Sequence, residues 1–315
     1  MSARELVVLG TASQVPTRHR NHNACLLRFD GEGFMFDPGE GTQRQLIRAA
    51  IASTDITKIC ITHFHGDHCL GLAGLSQLLS LDGCPHPVDV HYPASGEIYY
   101  QRLRHASIYH DRANVRGHPF DAAGELWRGK SLSLRTLPLE HGVPAWGYRI
   151  DERDGWTMQP DRLLAAGITG PQIGALMANG SLEHEGHTIA LDEVAVPRRG
   201  QSFAFVMDTR LCDNAFALAQ GVDMLVCEST YLHADADKAA DHGHLTARQA
   251  GRIARESGAQ MLVLTHFSRR YERDAPFVDE AREEFAGPVV AAEDFDVIAM
   301  PKRVREIGAP AVVGG

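Results

Sequence analysis

What this 315-residue chain lacks narrows its class before any motif is read. No apolar run approaches the roughly 20 residues that a helix needs to cross a bilayer, so no membrane association is expected. The N-terminus runs directly into a strand, Glu5-Leu6-Val7-Val8-Leu9, without the basic and apolar segments of an export signal. A cytoplasmic protein is therefore expected. The six cysteines, at 25, 60, 69, 84, 212 and 227, make no CxxC pair and mostly lie inside apolar stretches, where a thiol behaves as a small hydrophobe. That argues for a reducing compartment and against a disulfide framework. Neither a Pro/Ser linker nor a low-complexity tract divides the chain, and 44% apolar content can bury a large core, so one elaborated domain over 1–315 is the simpler reading. Positive charge is short as well. The formal net charge of −9 sets global electrostatics against nucleic acid, so any such contact has to come from local basic groups.

What is present is concentrated at one point. Thr62-His63-Phe64-His65-Gly66-Asp67-His68 packs four metal-ligand candidates into six residues, directly after the apolar strand Lys58-Ile59-Cys60-Ile61. Burying three imidazoles and a carboxylate separately would be costly. Gathered together, they suit borderline divalent metals that take nitrogen and oxygen donors. His63 and His65 are two apart, so on extended backbone they face one way and can share an ion. Gly66 can take the positive φ that turns the chain, which would let Asp67 and His68 face a second ion.

Two coordination spheres need more donors, and these sit at the ends of other apolar strands. Ser131–Arg135 leads through Leu137 and Leu139 to His141; Phe203–Met207 ends at Asp208; Met261–Leu264 ends in Thr265-His266-Phe267. The tripeptide Thr-His-Phe thus follows two apolar strands, which suggests two similar halves facing each other across a site.

Strands are expected at 5–9, 24–29, 33–37, 58–62, 87–92, 131–137, 145–150, 203–208, 223–228, 260–265 and 288–299. Helices are expected at 41–50, 69–81, 94–108, 161–166, 171–179, 213–220, 246–257 and 276–286, the helix at 246 opening on the capping box Thr246-Ala247-Arg248-Gln249. Hairpin-rich strands early and helices between later strands argue for an α/β fold with two packed sheets covered outside by helices.

The pattern HxHxDH, with the later His141, Asp208 and His266, resembles the signature of the metallo-β-lactamase superfamily. Within it the chain is similar to the ribonuclease Z family, endonucleases that trim the 3′ trailer from precursor tRNA. The similarity runs from about Leu6 to about Met300. It is carried by Phe36-Asp37-Pro38-Gly39-Glu40-Gly41-Thr42-Gln43, by His141–Arg149, by Asp208-Thr209-Arg210 and by Thr265–Tyr271. The resemblance implies an αββα sandwich of two facing mixed sheets with outer helices. It also implies two Zn2+ per chain, or Mn2+ or another divalent ion. His63, His65 and His141 would hold one ion, Asp67, His68 and His266 the other, and Asp208 would bridge them. Asp67 would also orient or deprotonate the attacking water. His244 matches the family's extra histidine before a helix, the candidate proton donor to the leaving oxygen. Its usual serine neighbour is Leu245 here, so that side chain's phosphate contact is lost, while Thr246 remains as a candidate RNA contact. Glu228 either orients His244 or serves a purely structural end.

For RNA, Pro16-Thr17-Arg18-His19-Arg20-Asn21 is similar to the family's PxKxRN element near the acceptor stem, with Arg18 in place of lysine. Arg269, Arg270 and Arg273 follow His266 and could hold phosphates flanking the cut. The stretch at about 151–200 falls where the family inserts a tRNA-gripping arm, and Gly170-Pro171 is similar to that arm's GP element. Here it carries eight carboxylates against four arginines and no lysine, so backbone amides rather than charge would meet phosphates. The partners implied are precursor tRNA and a second copy in a homodimer. Two other readings stand against this one: a hydrolase of a small phosphodiester or ester on the same fold, and a non-catalytic metal-binding RNA partner.

Overall fold

The computed structural model describes residues 4–303. Strands β1 (Arg4–Gly10), β2 (Ala24–Phe29), β3 (Glu32–Phe36), β4 (Lys58–Cys60), β5 (Val88–Pro93) and β6 (Val115–Phe120) form one mixed sheet. It is antiparallel from β1 to β3 and parallel from β3 to β6. Helices α1 (Thr42–Arg48), α2 (Gly66–Cys69), α3 (Leu72–Leu81) and α4 (Glu97–Arg104) lie in its connections. Strands β7 (Gly124–Arg128), β8 (Leu132–Leu139) and β9 (Ala145–Glu152) then begin a second sheet.

After β9 the chain folds as a separate compact unit, Glu152–Gln201 together with the described residues Lys302 and Arg303. Inside it β10 (Gly155–Met158), α5 (Pro160–Ala165), α6 (Pro171–Asn179), β11 (Ser181–His184), β12 (His187–Ala190), α7 (Leu191–Val194) and β13 (Ala195–Arg198) close on a small core of Leu163, Ile168, Leu176, Leu191 and Val194. Gly170, at φ +52, turns the chain so that Pro171 can open α6. At the neck, buried Glu152 accepts from the Gln201 N–H at 2.9 Å and pairs with Arg303 at 2.6 Å.

The main chain resumes with β14 (Ser202–Val206), α8 (Asp213–Ala219), β15 (Met224–Glu228), α9 (Ala236–His242), α10 (Ala247–Ser257), β16 (Leu262–Thr265), α11 (Ala275–Glu284), β17 (Val289–Ala291) and β18 (Val297–Ala299). Among the described residues each of the two large sheets has seven strands, ordered β18-β1-β2-β3-β4-β5-β6 and β17-β16-β15-β14-β9-β8-β7, while β10 pairs β13 and β11 pairs β12.

The layering follows from period-2 alternation in strands buried on both faces. Leu6, Val8, Cys25, Leu27, Phe34 and Phe36 of the first sheet meet Tyr148, Phe203, Phe205, Met224 and Val263 of the second in one core. The alternate residues Val7, Leu9 and Leu26 pack instead on Leu46, Leu72 and Leu75 of α1 and α3. On the other side Ala204, Val206 and Leu225 pack on Leu218, Ile253 and Phe277 of α8, α10 and α11. Four layers result, helix–sheet–sheet–helix, which is the αββα sandwich.

Several expected elements come out differently. The run 288–299 is two strands in opposite sheets, parted by residues 292–296. The helix expected from 69 begins at Gly66 and breaks before Leu72; Gly66 is helical there rather than at positive φ. Strands β6, β7 and β10–β13 and helices α7 and α9 are additions. They are short, polar or exposed, and so leave little hydrophobic periodicity to read.

Candidate metal centre

The two sheets deliver their donors from the C-terminal ends of β4, β8, β14 and β16 and the segments that follow them. His63 leaves β4 fully buried, and its Nε2 lies 2.9 Å from His65 Nδ1, which in turn is 3.3 Å from His141 Nε2. Asp67 and His68 face inward from α2. Asp208 Oδ2 lies 3.6 Å from His63 Nε2, 3.4 Å from His68 Nε2 and 3.7 Å from His141 Nε2. Among the described residues three groups emerge whose donor atoms lie within 4.8 Å of one another: His63, His65, His141 and Asp208; Asp67, His68 and His266; and Asp208, His244 and His266.

Each inward nitrogen is aimed by what occupies the other side of its ring. His141 Nδ1 sits 2.9 Å from the Gly243 carbonyl, so it donates there and leaves Nε2 a free lone pair. His68 Nδ1 is 2.8 Å from Asp37 Oδ2, and Asp37 is itself held by the Thr62 N–H at 2.7 Å and the Thr62 hydroxyl at 2.8 Å. His266 Nδ1 lies 3.0 Å from the Thr230 hydroxyl. Asp208 and His266 hold positive φ, +34° and +62°, conformations side chains adopt only when the surroundings over-determine them.

The fit to a cation rests on orphaned atoms. Among the described residues His68 Nε2, His266 Nε2 and Asp208 Oδ1 are buried with no hydrogen-bond partner, a costly state that divalent ions would relieve. Charge agrees. Burial lowers His63 and His65 below the ordinary histidine range, the neutral form a metal ligand requires. Burial also opposes charge on His68, but the carboxylates of Asp208, Asp67 and Asp37 outweigh it and raise His68 well above its usual value. The field that favours a proton there favours a divalent cation in its place. Burial would raise Asp67 and Asp208, yet the surrounding histidines hold both well below the carboxylate range.

The cluster opens into a cleft of about 840 Å³ whose wall includes His22, Tyr231, His242, His244, Ser268 and Arg270. His244 Nδ1 lies 3.1 Å from Glu228 Oε1, so its Nε2 is free for the cleft. Burial opposes charge on His244, but Glu228 and Asp208 prevail and raise it to about 9. Glu228, fully buried, also accepts from the Thr209 N–H at 2.7 Å and the Thr230 hydroxyl at 2.6 Å. One carboxylate thereby ties His244 to the Asp208 turn.

Two residues expected to contact RNA are engaged within the protein. Thr246 is fully buried and its hydroxyl caps α10 by accepting from the Gln249 N–H. Arg20 turns inward: its guanidinium donates to Thr11 Oγ1 at 2.7 Å, pairs with Asp274 and covers the Phe267 ring at 4.5 Å. It braces the His266 loop. Asn21 is half-buried and donates to the Glu40 carbonyl at 2.9 Å. Arg18 is exposed with no partner among the described residues, Arg269 and Arg270 are exposed on the cleft, and Gly170-Pro171 is exposed in the insert. Leu245 is core. Asp37, the partner of His68, was visible in sequence only as part of Phe36–Gln43, with nothing to mark its role.

An αββα sandwich with histidine and aspartate donors converging from both sheets defines a member of the metallo-β-lactamase superfamily. Profiles described as "Metallo-beta-lactamase superfamily" and "Beta-lactamase superfamily domain" match residues 17–156 and 173–267. Within that class the chain belongs to the ribonuclease Z family. It is 54% identical over 96% of its length to Ribonuclease Z of Streptomyces coelicolor, and 55% identical over 96% to that of Nocardia farcinica, covering 100% of each. The crystal structure of the short form of human tRNase Z is similar over 95% of this chain and 100% of that one, with 26% identity and a TM-score of 0.69.

Proposed function

We propose that this protein is a divalent-metal-dependent endoribonuclease that removes the 3′ trailer from precursor tRNA. The observation that carries the reading is the pairing of a complete donor cluster with His244, a proton donor poised on the same cleft, in a ribonuclease Z family member. His63, His65 and His141 would hold one ion and Asp67, His68 and His266 the other, with Asp208 between; zinc suits this nitrogen and oxygen set, as does manganese. Bound ions supply Lewis-acid stabilisation and a water acidic enough to attack near neutral pH.

The chain's own groups do the rest. Asp67 orients the water and takes its proton. His244, kept charged by Glu228, gives a proton from Nε2 to the leaving oxygen. Arg270 and Arg269 hold phosphates beside the cut, and Arg18 engages the substrate backbone further out. Attack by water rather than by a 2′-hydroxyl leaves a 3′-hydroxyl on the tRNA. The architecture is one metallo-β-lactamase domain over 1–315 with a recognition arm at about 151–200. That arm carries net charge −4, so its grip is geometric, through backbone amides around Gly170 and Pro171. The working form is a cytoplasmic homodimer.

Incubating the purified protein with an end-labelled precursor tRNA tests the reading, with a single cut at the trailer junction leaving a 3′-hydroxyl as the expected result. No cleavage, or scattered cleavage, would overturn it. Replacing 155–195 by a short Gly/Ser loop separates the arm from the chemistry: precursor binding should weaken while hydrolysis of bis-p-nitrophenyl phosphate persists. Intact tRNA processing in that variant would remove the arm's assigned role.

A further inference from the structure

Two aromatic side chains on the cleft wall, the exposed His242 and the largely buried Tyr231 behind it, have no part in the chemistry so far. Tyr231 and His242 line the cleft with ring planes 21° apart and centroids separated by 6.3 Å. Tyr231 is fixed in place: its N–H donates to the Leu245 carbonyl at 3.2 Å and its carbonyl accepts from the Ala247 N–H at 2.9 Å. Its hydroxyl makes no hydrogen bond among the described residues. His242 ends α9 and is exposed. The next residue, Gly243 at φ +74, turns the chain and presents the carbonyl that orients His141. The platform is thus built on the same turn that aims a metal-ligand candidate. From Tyr231 the rings step inward, 6.2 Å to His244 and then 5.5 Å to His266. Arg270 stands on the same cleft to meet a phosphate.

We propose that His242, backed by Tyr231, forms a stacking subsite for the nucleobase next to the cleaved phosphodiester. The inference rests on the RNA reading above and adds a base contact to it. Every base presents a π-face to stack on, so such a platform accepts any sequence while fixing the nucleotide's position. The phosphate beside that base then falls toward His244 and the donor cluster, which is what an in-line displacement requires.

The test uses three precursor tRNAs in single-turnover cleavage: one intact, one abasic immediately 5′ of the cut and one abasic immediately 3′ of it. Wild-type protein should cut one abasic substrate roughly tenfold more slowly, within what a single base–aromatic stack contributes. His242→Ala should slow the intact substrate by a similar factor and abolish that difference, and His242→Phe should restore both. Because His242 is exposed, its substitution leaves the fold in place; Tyr231→Leu, checked for unchanged metal content, should behave as His242→Ala does. Equal rates on all three substrates with wild type, or a His242→Ala defect of the same size on intact and abasic substrates, would overturn the subsite. Failure of wild type to cut the intact precursor would sink the endonuclease reading itself, and the subsite with it.

Discussion

The tripeptide Thr-His-Phe occurs at the end of β4 and again at the end of β16, one in each sheet, and the two copies are built differently. At Thr62-His63-Phe64 the His63 Nδ1 is met by its own neighbour, the Thr62 hydroxyl, at 3.0 Å. Thr62 rests in turn on Asp37, and Phe64 packs half-buried against Tyr92. At Thr265-His266-Phe267 the backbone of His266 is left-handed, and its Nδ1 is met by Thr230 from another strand end. Phe267 is only 1% exposed, lies 4.7 Å from Phe277 and donates its N–H to the Thr11 carbonyl at 2.8 Å. Identical residues therefore reach one cluster by local support in one sheet and by long-range support in the other. Donor geometry is set by whatever holds the second ring nitrogen and the residue that follows, not by the tripeptide.

The comparison is tested most severely at the donors. His63→Ala and His266→Ala should each abolish precursor cleavage and lower bound zinc, measured by metal analysis of the purified variants, because the two sheets contribute equally necessary ligands. Near-normal turnover at full metal occupancy in either would break the symmetry of the assignment. His244 stands 5.5 Å from His266 and could be mistaken for a further ligand. His244→Ala should retain its metal and lose about 10²–10⁴-fold in rate, the usual contribution of a general acid; metal loss equal to that of His266→Ala would show it to be a donor.

The phenylalanines should differ in stability. Phe267→Ala removes a fully enclosed ring and should cost about 3–5 kcal/mol in urea unfolding, several times the effect of Phe64→Ala. Similar values for both would mean that the second copy is no more dependent on its surroundings than the first. The smallest effect is expected at the hydroxyls. Thr62→Val and Thr230→Val should lower metal affinity by about 10–100-fold each, as loss of a ligand's outer partner does. Thr230 also donates to Glu228, so only its variant should alter the pH profile of cleavage. Unchanged pH dependence in Thr230→Val would uncouple Glu228 from His244.

What the sequence disclosed was whatever local pattern determines. The donors were legible because each follows a strand whose apolar run is unmistakable, and the sandwich followed from those runs. Partners distant in the chain were hidden. Arg20 reads as a surface charge in a basic motif, whereas its partner Asp274 lies 254 positions away and only the folded chain turns the guanidinium inward. Asp37 precedes His68 by 31 positions and carries no mark of its pairing. Thr246 was visible both as a helix cap and as a motif residue, and its buried hydroxyl accepts from the Gln249 N–H. The insert's strands, four residues each, are too short and too polar for alternation to be read.

The division of residues 288–299 between the two sheets bears on how the protein is made. β17 extends the second sheet beside β16, and within a few residues β18 closes the first sheet against β1, with Leu6 opposite Ile298. Between them Asp294 accepts from Thr11 Oγ1 at 2.8 Å, the Asn21 N–H at 2.7 Å and Gln45 Nε2 at 3.1 Å. β1 and β18 lie far apart in the chain, so the β1 edge stays an unpaired apolar strand until distant segments meet. Contacts of such long sequence separation form slowly, and exposed strand edges invite pairing with other chains. Until those segments meet, the first sheet offers an edge on which another chain can pair, and the segment around Asp294 is the latch that closes it.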